Sequence, residues 1–442
     1  MKQKKTNKDN RMVIISLDAV GARDLEFMRT LPNFGKFMEQ SAICSNVQSV
    51  YPSVTYPAHT SIITGKKPVN HGVINNTLLQ PERESPDWMW QRHFIRGTTL
   101  FDEAIDKGCR VAALLWPVTA KSRIQYCLPE VLANRPWQNQ IVVSALNGTF
   151  GYQIEMLLKF GEAREGVRQP QLDNFIQKST LHTIRKYNPD LLLVHFTDVD
   201  TNRHIYGVEH EEIKKALRRH DTRLGEIMKA LEETGDMNKT TVVLLGDHCQ
   251  ADTRTVVYFN YLFKEKGFLK TKGTKITDYD FVAKNCDGSC YIYANPNKHL
   301  EENRYQELAD LLMLCKEDET FGIEEIFTSR EAGELGADDS CVCMIEAKPY
   351  FYYLDEAEVL TCPTSEARLH KMLAVHGYLP SKEDNKTFFM ASGFGIQPKS
   401  HTEEMNLYDE GPTLAKIMGL ELPDADGKVI SEILNGDIWL KL

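Results

Sequence analysis

Four short apolar runs, each followed closely by a polar or turn-forming residue, constrain this chain more than any other feature. They are residues 13–17, 111–115, 191–196 and 241–245, with a fifth at 388–391. Runs this short and continuously apolar suit strands buried on both faces of a parallel sheet. Helical stretches lie around them: 32–39, 55–64, 100–107, 174–186, 211–233, 258–266 and 303–315. In 211–233 the apolar residues Ile213, Leu217, Leu224, Ile227, Met228 and Leu231 follow a period near 3.6. Strand and helix in alternation predict an α/β fold with a mostly parallel central sheet covered on both faces. Ligands of such sheets bind beyond the carboxyl ends of the strands. Asp18, Asp200 and Asp247 lie just after three of the runs, so they are expected to converge there.

Those aspartates have suitable company. Asp200 and His204 are four apart, which on a helix puts both on one face. Alone, such a pair is more often a capping or solvent contact. Asp247 and His248 directly follow an apolar strand, where buried charge needs a partner and a metal is an effective one. His376 sits in Val375-His376-Gly377-Tyr378 and is unremarkable by itself. Together these residues resolve into two shells: Asp200, His204 and His376 for one divalent ion, Asp18, Asp247 and His248 for another. Carboxylate and imidazole without thiolate suit zinc, with manganese or iron as alternatives. Thr55 opens the stretch Thr55-Tyr56-Pro57-Ala58-His59-Thr60-Ser61. It reads either as an N-cap or as a metal-activated hydroxyl beside helix N-terminal amides. Asn75-Asn76 reads either as a turn or as a donor to an oxyanion.

A net charge of −10 argues against a dedicated nucleic-acid binder, although bound metal ions leave nucleotide substrates open. The first ten residues are polar and basic, with no export signal behind them and no membrane-length apolar run anywhere. A cytoplasmic protein is expected, with its ten cysteines free. Cys286, Cys290, Cys341 and Cys343 have spacings that fit a four-thiolate zinc site poorly, so they are read as core residues. Residues 1–11 are expected to form a disordered arm and 12–442 one catalytic domain. Segments 78–96 and 271–353 look like cap-forming insertions.

With these settings the chain resembles the nucleotide pyrophosphatase/phosphodiesterase family of the alkaline phosphatase superfamily. The matching residues are Leu17-Asp18, Pro52-Ser53-Val54-Thr55-Tyr56-Pro57, His71-Gly72 through Asn76, Asp200 to His204, Gly246-Asp247-His248 and His376-Gly377-Tyr378. A late stretch, Gly411-Pro412-Thr413-Leu414, resembles the family's C-terminal helix. The resemblance implies an alkaline-phosphatase-like three-layer αβα sandwich with a smaller inserted cap and two divalent ions, Zn2+ by preference. It implies hydrolysis of phosphodiester or pyrophosphate bonds in small, nucleotide-type substrates through a phosphothreonine on Thr55, which also contacts the second ion. Asn76 and the Thr55 amide would bind the phosphoryl oxygen, Tyr56 would line the pocket, and Phe196 would stack on an aromatic leaving group. Two departures stand out: Gly246-Asp247-His248-Cys249 where members often have Ser-Asp-His-Gly, and Asp198-Val199-Asp200 where they often have Glu-Pro-Asp. The ligands survive both, so the departures bear on what the substrate pocket accepts. A phosphonoacetate hydrolase with Lys66 and Lys67 in its pocket is the alternative enzyme. A non-catalytic protein retaining the metal frame is the alternative of another class.

Overall fold

The computed structural model describes residues 10–369, 371–382 and 385–436. Its centre is an eight-stranded sheet. In chain order the strands are β1 (Arg11–Leu17), β2 (Ala42–Gln48), β3 (Val111–Leu114), β4 (Tyr126–Leu128), β5 (Leu191–Phe196), β6 (Thr240–Leu245), β7 (Lys386–Gly393) and β8 (Met405–Asn406). Their spatial order is β8-β2-β7-β6-β1-β5-β3-β4. All pairings are parallel except those of β7, which runs antiparallel to β2 and β6. The sheet is therefore mostly parallel, as its apolar runs predict. β2 is absent from that prediction because its buried residues are interleaved with exposed and half-buried polar ones.

Both faces are covered. On β1, Met12 and Ile14 enter one apolar core, while Val13, Ile15 and Leu17 enter the other. This is the strand pleat sending successive side chains to opposite faces. The helices Thr55–Thr64 and Glu211–Glu233 form where the sequence places them. Gln171–Tyr187 starts three residues before its expected position. The short helices Gln140–Asn147 and Phe150–Phe160 were not anticipated.

A second strand layer carries a third core. In it Phe281–Asn285, Ser289–Ala294, Cys343–Ala347 and Ile323–Thr328 pair antiparallel. Ala251–Val257 lies between Tyr350–Tyr353 and Thr361–Pro363. This layer runs from Ala251 to Val375, so the expected insertion 271–353 is only its middle. Cys286, Cys290, Cys341 and Cys343 are buried in its core, and all ten cysteines are free. Residues 1–9 of the expected arm lie outside the described residues. Asn10 and Arg11, by contrast, belong to the fold: Asn10 Nδ2 donates to the Ile417 carbonyl at 3.3 Å, and Arg11 opens β1. No helix among the described residues is long and apolar enough to cross a membrane.

Candidate active site

The carboxyl ends of β1, β5 and β6 deliver the three aspartates to one place. The Asp18 amide donates to the Phe196 carbonyl at 2.9 Å, and the Ala19 amide to Asp247 Oδ1 at 3.1 Å. Asp18, Asp247 and His248 each offer a ligand atom within 4.8 Å of the others, and so do Asp200, His248 and His376. His248 is thus shared between two clusters. His204 joins through Asp200, with its Nε2 3.2 Å from Asp200 Oδ1. Its Nδ1 meets the Ala374 carbonyl at 2.7 Å, which fixes the tautomer and turns Nε2 toward the site. All six expected ligands therefore gather, with His248 rather than His204 completing the Asp200–His376 triangle.

The donor set fits divalent ions. Asp18 Oδ1, Asp247 Oδ2, His248 Nδ1 and His376 Nδ1 are buried without a hydrogen-bond partner. Burial pushes the Asp18 carboxyl well above the usual carboxylate range, and repulsion from Asp247 and Asp200 pushes it further. Three carboxylates this close are costly without added positive charge.

Thr55 is the first residue of its helix, and Val54 is the N-cap. The capping role read from sequence therefore falls away. The Thr55 hydroxyl instead lies 3.1 Å from His248 Nε2, at the mouth of the two clusters. Behind it, His59 is fully buried, with Nδ1 2.8 Å from the Thr55 carbonyl and Nε2 2.9 Å from Ser16 Oγ. Asn76 Oδ1 accepts the Tyr56 amide at 2.8 Å, which leaves its NH2 group as a donor at the pocket wall. Asn75 locks that loop by accepting the Asn76 amide at 2.6 Å and donating to the Asn285 carbonyl at 2.8 Å.

Three supporting residues, His195, Glu130 and Asp287, escaped the sequence reading. His195 sits inside β5, with Nε2 3.0 Å from Asp18 Oδ2 and Nδ1 3.4 Å from Glu130 Oε2. Burial opposes its charge, but Asp18 and Glu130 outweigh burial and raise its pKa well above the ordinary value. A histidine inside an otherwise apolar strand was the available signal. Asp287 lies 3.3 Å from His376 Nδ1, and burial lifts its pKa to about 6. It gets there because Gly377 has φ +85 and lets the Cys286 carbonyl approach; a Cβ at 377 would stand 1.7 Å from that oxygen.

A cavity of about 590 Å³ opens over Thr55, lined by Trp88, Asn76, Leu132, Ile141 and Asp287 among others. Two expected pocket residues are not in its wall. Phe196 is fully buried in the core on the far face of the sheet, 5.7 Å from the His220 ring and under the Arg223 guanidinium. The pleat is the reason: His195 takes the site face, so its neighbour must take the other. Tyr56 packs edge-on against Trp88 at 5.3 Å, and its hydroxyl bonds Glu130, so it braces the wall from behind. Lys66 and Lys67 are also outside the pocket, the first 3.7 Å from Asp424 and the second over the Tyr408 ring. The departure at Gly246 has a steric cause, since a Cβ there would stand 2.1 Å from the Val20 carbonyl oxygen. Cys249 fills the space that Gly21 leaves, its Sγ 3.1 Å from the Lys386 carbonyl.

Residues 12–379 match the family model described as type I phosphodiesterase/nucleotide pyrophosphatase. The chain is 24% identical over 249 residues to ectonucleotide pyrophosphatase/phosphodiesterase family member 3 of Bos taurus, covering 54% of this chain and 24% of that protein. It is 23% identical over 337 residues to family member 1 of Homo sapiens, covering 69% and 32%. It is 25% identical over 249 residues to venom phosphodiesterase 2 of Crotalus adamanteus, covering 54% and 26%. The match thus spans 24–32% of the length of these relatives. Murine ectonucleotide pyrophosphatase/phosphodiesterase 5 shares the fold, with a TM-score of 0.67 and 16% identity over 96% of this chain and 100% of that one. An inactive variant of that murine protein has been solved in complex with AMP.

Proposed function

Because the chain belongs to the type I phosphodiesterase/nucleotide pyrophosphatase family, we propose that it hydrolyses phosphodiester or phosphoanhydride bonds of small nucleotide-type molecules, with Thr55 as nucleophile. The observation that carries the reading is the Thr55 hydroxyl, 3.1 Å from His248 Nε2 beside two carboxylate–imidazole clusters. AMP in the related murine structure supports the nucleotide class. Lys66 and Lys67 lie away from the cavity, which removes the basis for preferring a phosphonate.

Asp18, Asp247 and His248 would hold one ion, and Asp200 and His376 the other with His204 beside Asp200 and His248 within reach of both groups, zinc by donor type. Bound there, the ions would supply positive charge that lowers the pKa of the Thr55 hydroxyl and offsets charge on the phosphoryl oxygens. The rest of the work falls to the chain. Thr55 loses its proton to solvent, and its oxygen attacks phosphorus in line as the bond to the leaving oxygen breaks. The leaving group departs with the electron pair and takes a proton from water. Asn76 NH2 and the Thr55 amide, unpaired in the first helical turn, receive the charge that builds on the non-bridging oxygen. A water then attacks phosphorus from the side the leaving group vacated, the bond to the Thr55 oxygen breaks, that oxygen takes a proton from solvent, and the phosphate monoester departs.

The test is zinc-supplemented hydrolysis of p-nitrophenyl thymidine 5′-monophosphate, p-nitrophenyl phosphate and phosphonoacetate by the wild type and Thr55→Ala. Preference for the diester, lost in Thr55→Ala, is the expected result. Phosphonoacetate as the sole substrate, or turnover indifferent to Thr55→Ala, would overturn it.

A further inference from the structure

Among the described residues the cavity wall contains four arginine and lysine side chains, and three are paired with acids where they stand. Arg83 lies 3.3 Å from Asp87, Lys284 2.7 Å from Asp355, and Arg368 2.9 Å from Glu84. Arg164 differs. Its Nε donates to the Gly166 carbonyl at 2.9 Å, its guanidinium lies 5.8 Å from the centre of the Phe175 ring, and no acid pairs with it among the described residues. Leu157, Val167 and Leu172 line the cavity with it. Burial alone lowers its pKa, with no carboxylate opposing the shift. A half-buried guanidinium facing a cavity without a counter-charge gains most from an anionic ligand, which its planar fork can grip with paired hydrogen bonds.

Its place in the fold sets where that anion would lie. Phe175 belongs to the helix Gln171–Tyr187, which packs on β3 and β5. Asp18 follows β1 and the Thr55 hydroxyl contacts His248 after β6, and β5 and β3 are the first and second neighbours of β1 on the side away from β6. We propose that Arg164 recognises a second anionic group of the substrate in the same cavity, displaced from the scissile phosphorus toward β5 and β3 by more than one strand spacing, about 5 Å. The proposal rests on the phosphodiesterase reading and narrows it to diesters with one arm ending in a phosphate, sulfate or carboxylate. The neighbouring phosphorus of a simple pyrophosphate is too close to the first to reach this position. The apolar wall between the two points would take the sugar, base or alkyl portion of that arm.

The test compares p-nitrophenyl thymidine 5′-monophosphate with the same diester carrying a phosphate on its 3′ oxygen. Wild type, Arg164→Gln and Arg164→Lys are assayed alongside calorimetric binding of thymidine 5′-monophosphate and thymidine 3′,5′-bisphosphate. The expected result is a preference of about tenfold or more for the extra phosphate, carried in KM and in affinity. Arg164→Gln should bring that ratio near one, and Arg164→Lys should restore part of it. Equal handling of both molecules by the wild type, or a preference that survives Arg164→Gln, overturns the proposal. Absence of turnover with the binding preference intact would instead overturn the catalytic reading, and the two failures stay distinct.

Discussion

Replacing Asn76 separates catalysis from scaffolding, because its two ends do different things. Oδ1 accepts the Tyr56 amide at 2.8 Å, and the NH2 group is left at the cavity. Asn76→Ala deletes both. The lost hydrogen bond at the helix start costs about 1 kcal/mol of stability. If the NH2 group meets the developing oxyanion, its removal costs about 2.7–4 kcal/mol in the transition state, or roughly 10²–10³ in kcat. Asn76→Asp keeps an acceptor for Tyr56 and puts negative charge at a helix N-terminus, where charge of that sign is tolerated. It should therefore hold wild-type stability to within about 1 kcal/mol. Yet it sets a carboxylate against a phosphoryl oxygen. At about 4 Å and an effective dielectric near 20, that repulsion is about 4 kcal/mol, so kcat should fall at least as far as in Asn76→Ala. The assay is steady-state hydrolysis of p-nitrophenyl thymidine 5′-monophosphate beside urea unfolding of the three proteins. An active Asn76→Asp would refute the oxyanion role and leave Asn76 as a brace for the helix.

His195→Gln removes the hydrogen bond at 3.0 Å to Asp18 and the contact at 3.4 Å to Glu130. Zinc affinity measured by competition with a chromophoric chelator should weaken by about 10–100-fold, and unchanged affinity would show that Asp18 needs no support. Phe196→Ala should cost about 3–5 kcal/mol in urea unfolding while leaving KM for the nitrophenyl diester alone; a large rise in KM would return Phe196 to the substrate. Burial lifts Glu346 to about 7 despite Lys382 Nζ at 2.7 Å, the Leu379 amide at 2.9 Å and the Tyr51 hydroxyl at 2.9 Å. The folded state thus holds this proton more tightly than the unfolded chain, so the stabilisation is complete below about pH 4.5 and is lost as pH rises through about 7. Glu346→Gln should accordingly gain about 2–3 kcal/mol on the wild type between pH 5 and pH 8, and a difference that stays flat with pH would sink the assignment.

Much of the frame was legible because buried parallel strands advertise themselves. Residues 13–17, 191–196 and 241–245 are too apolar to be anything exposed, and the acids after them mark the carboxyl edge of the sheet. β2 was hidden by its polar interleaving, and β7 gave no sign of running antiparallel, since direction leaves no mark in composition. His195 and Phe196 show the limit most clearly. They are adjacent, yet one braces Asp18 and the other packs in the opposite core.

The sequence by itself determined the layered α/β frame, the six aspartates and histidines that cluster at its edge and the threonine that opens a helix beside them, because periodicity and short motifs are local. Only the tertiary structure decided that His248 joins both clusters, that Asp287 reaches His376 across Gly377, and that Arg164 stands at the cavity with no counter-charge among the described residues. Those facts depend on which faces meet and how closely backbones approach. Contacts between residues far apart in the chain set both, and no local pattern encodes them.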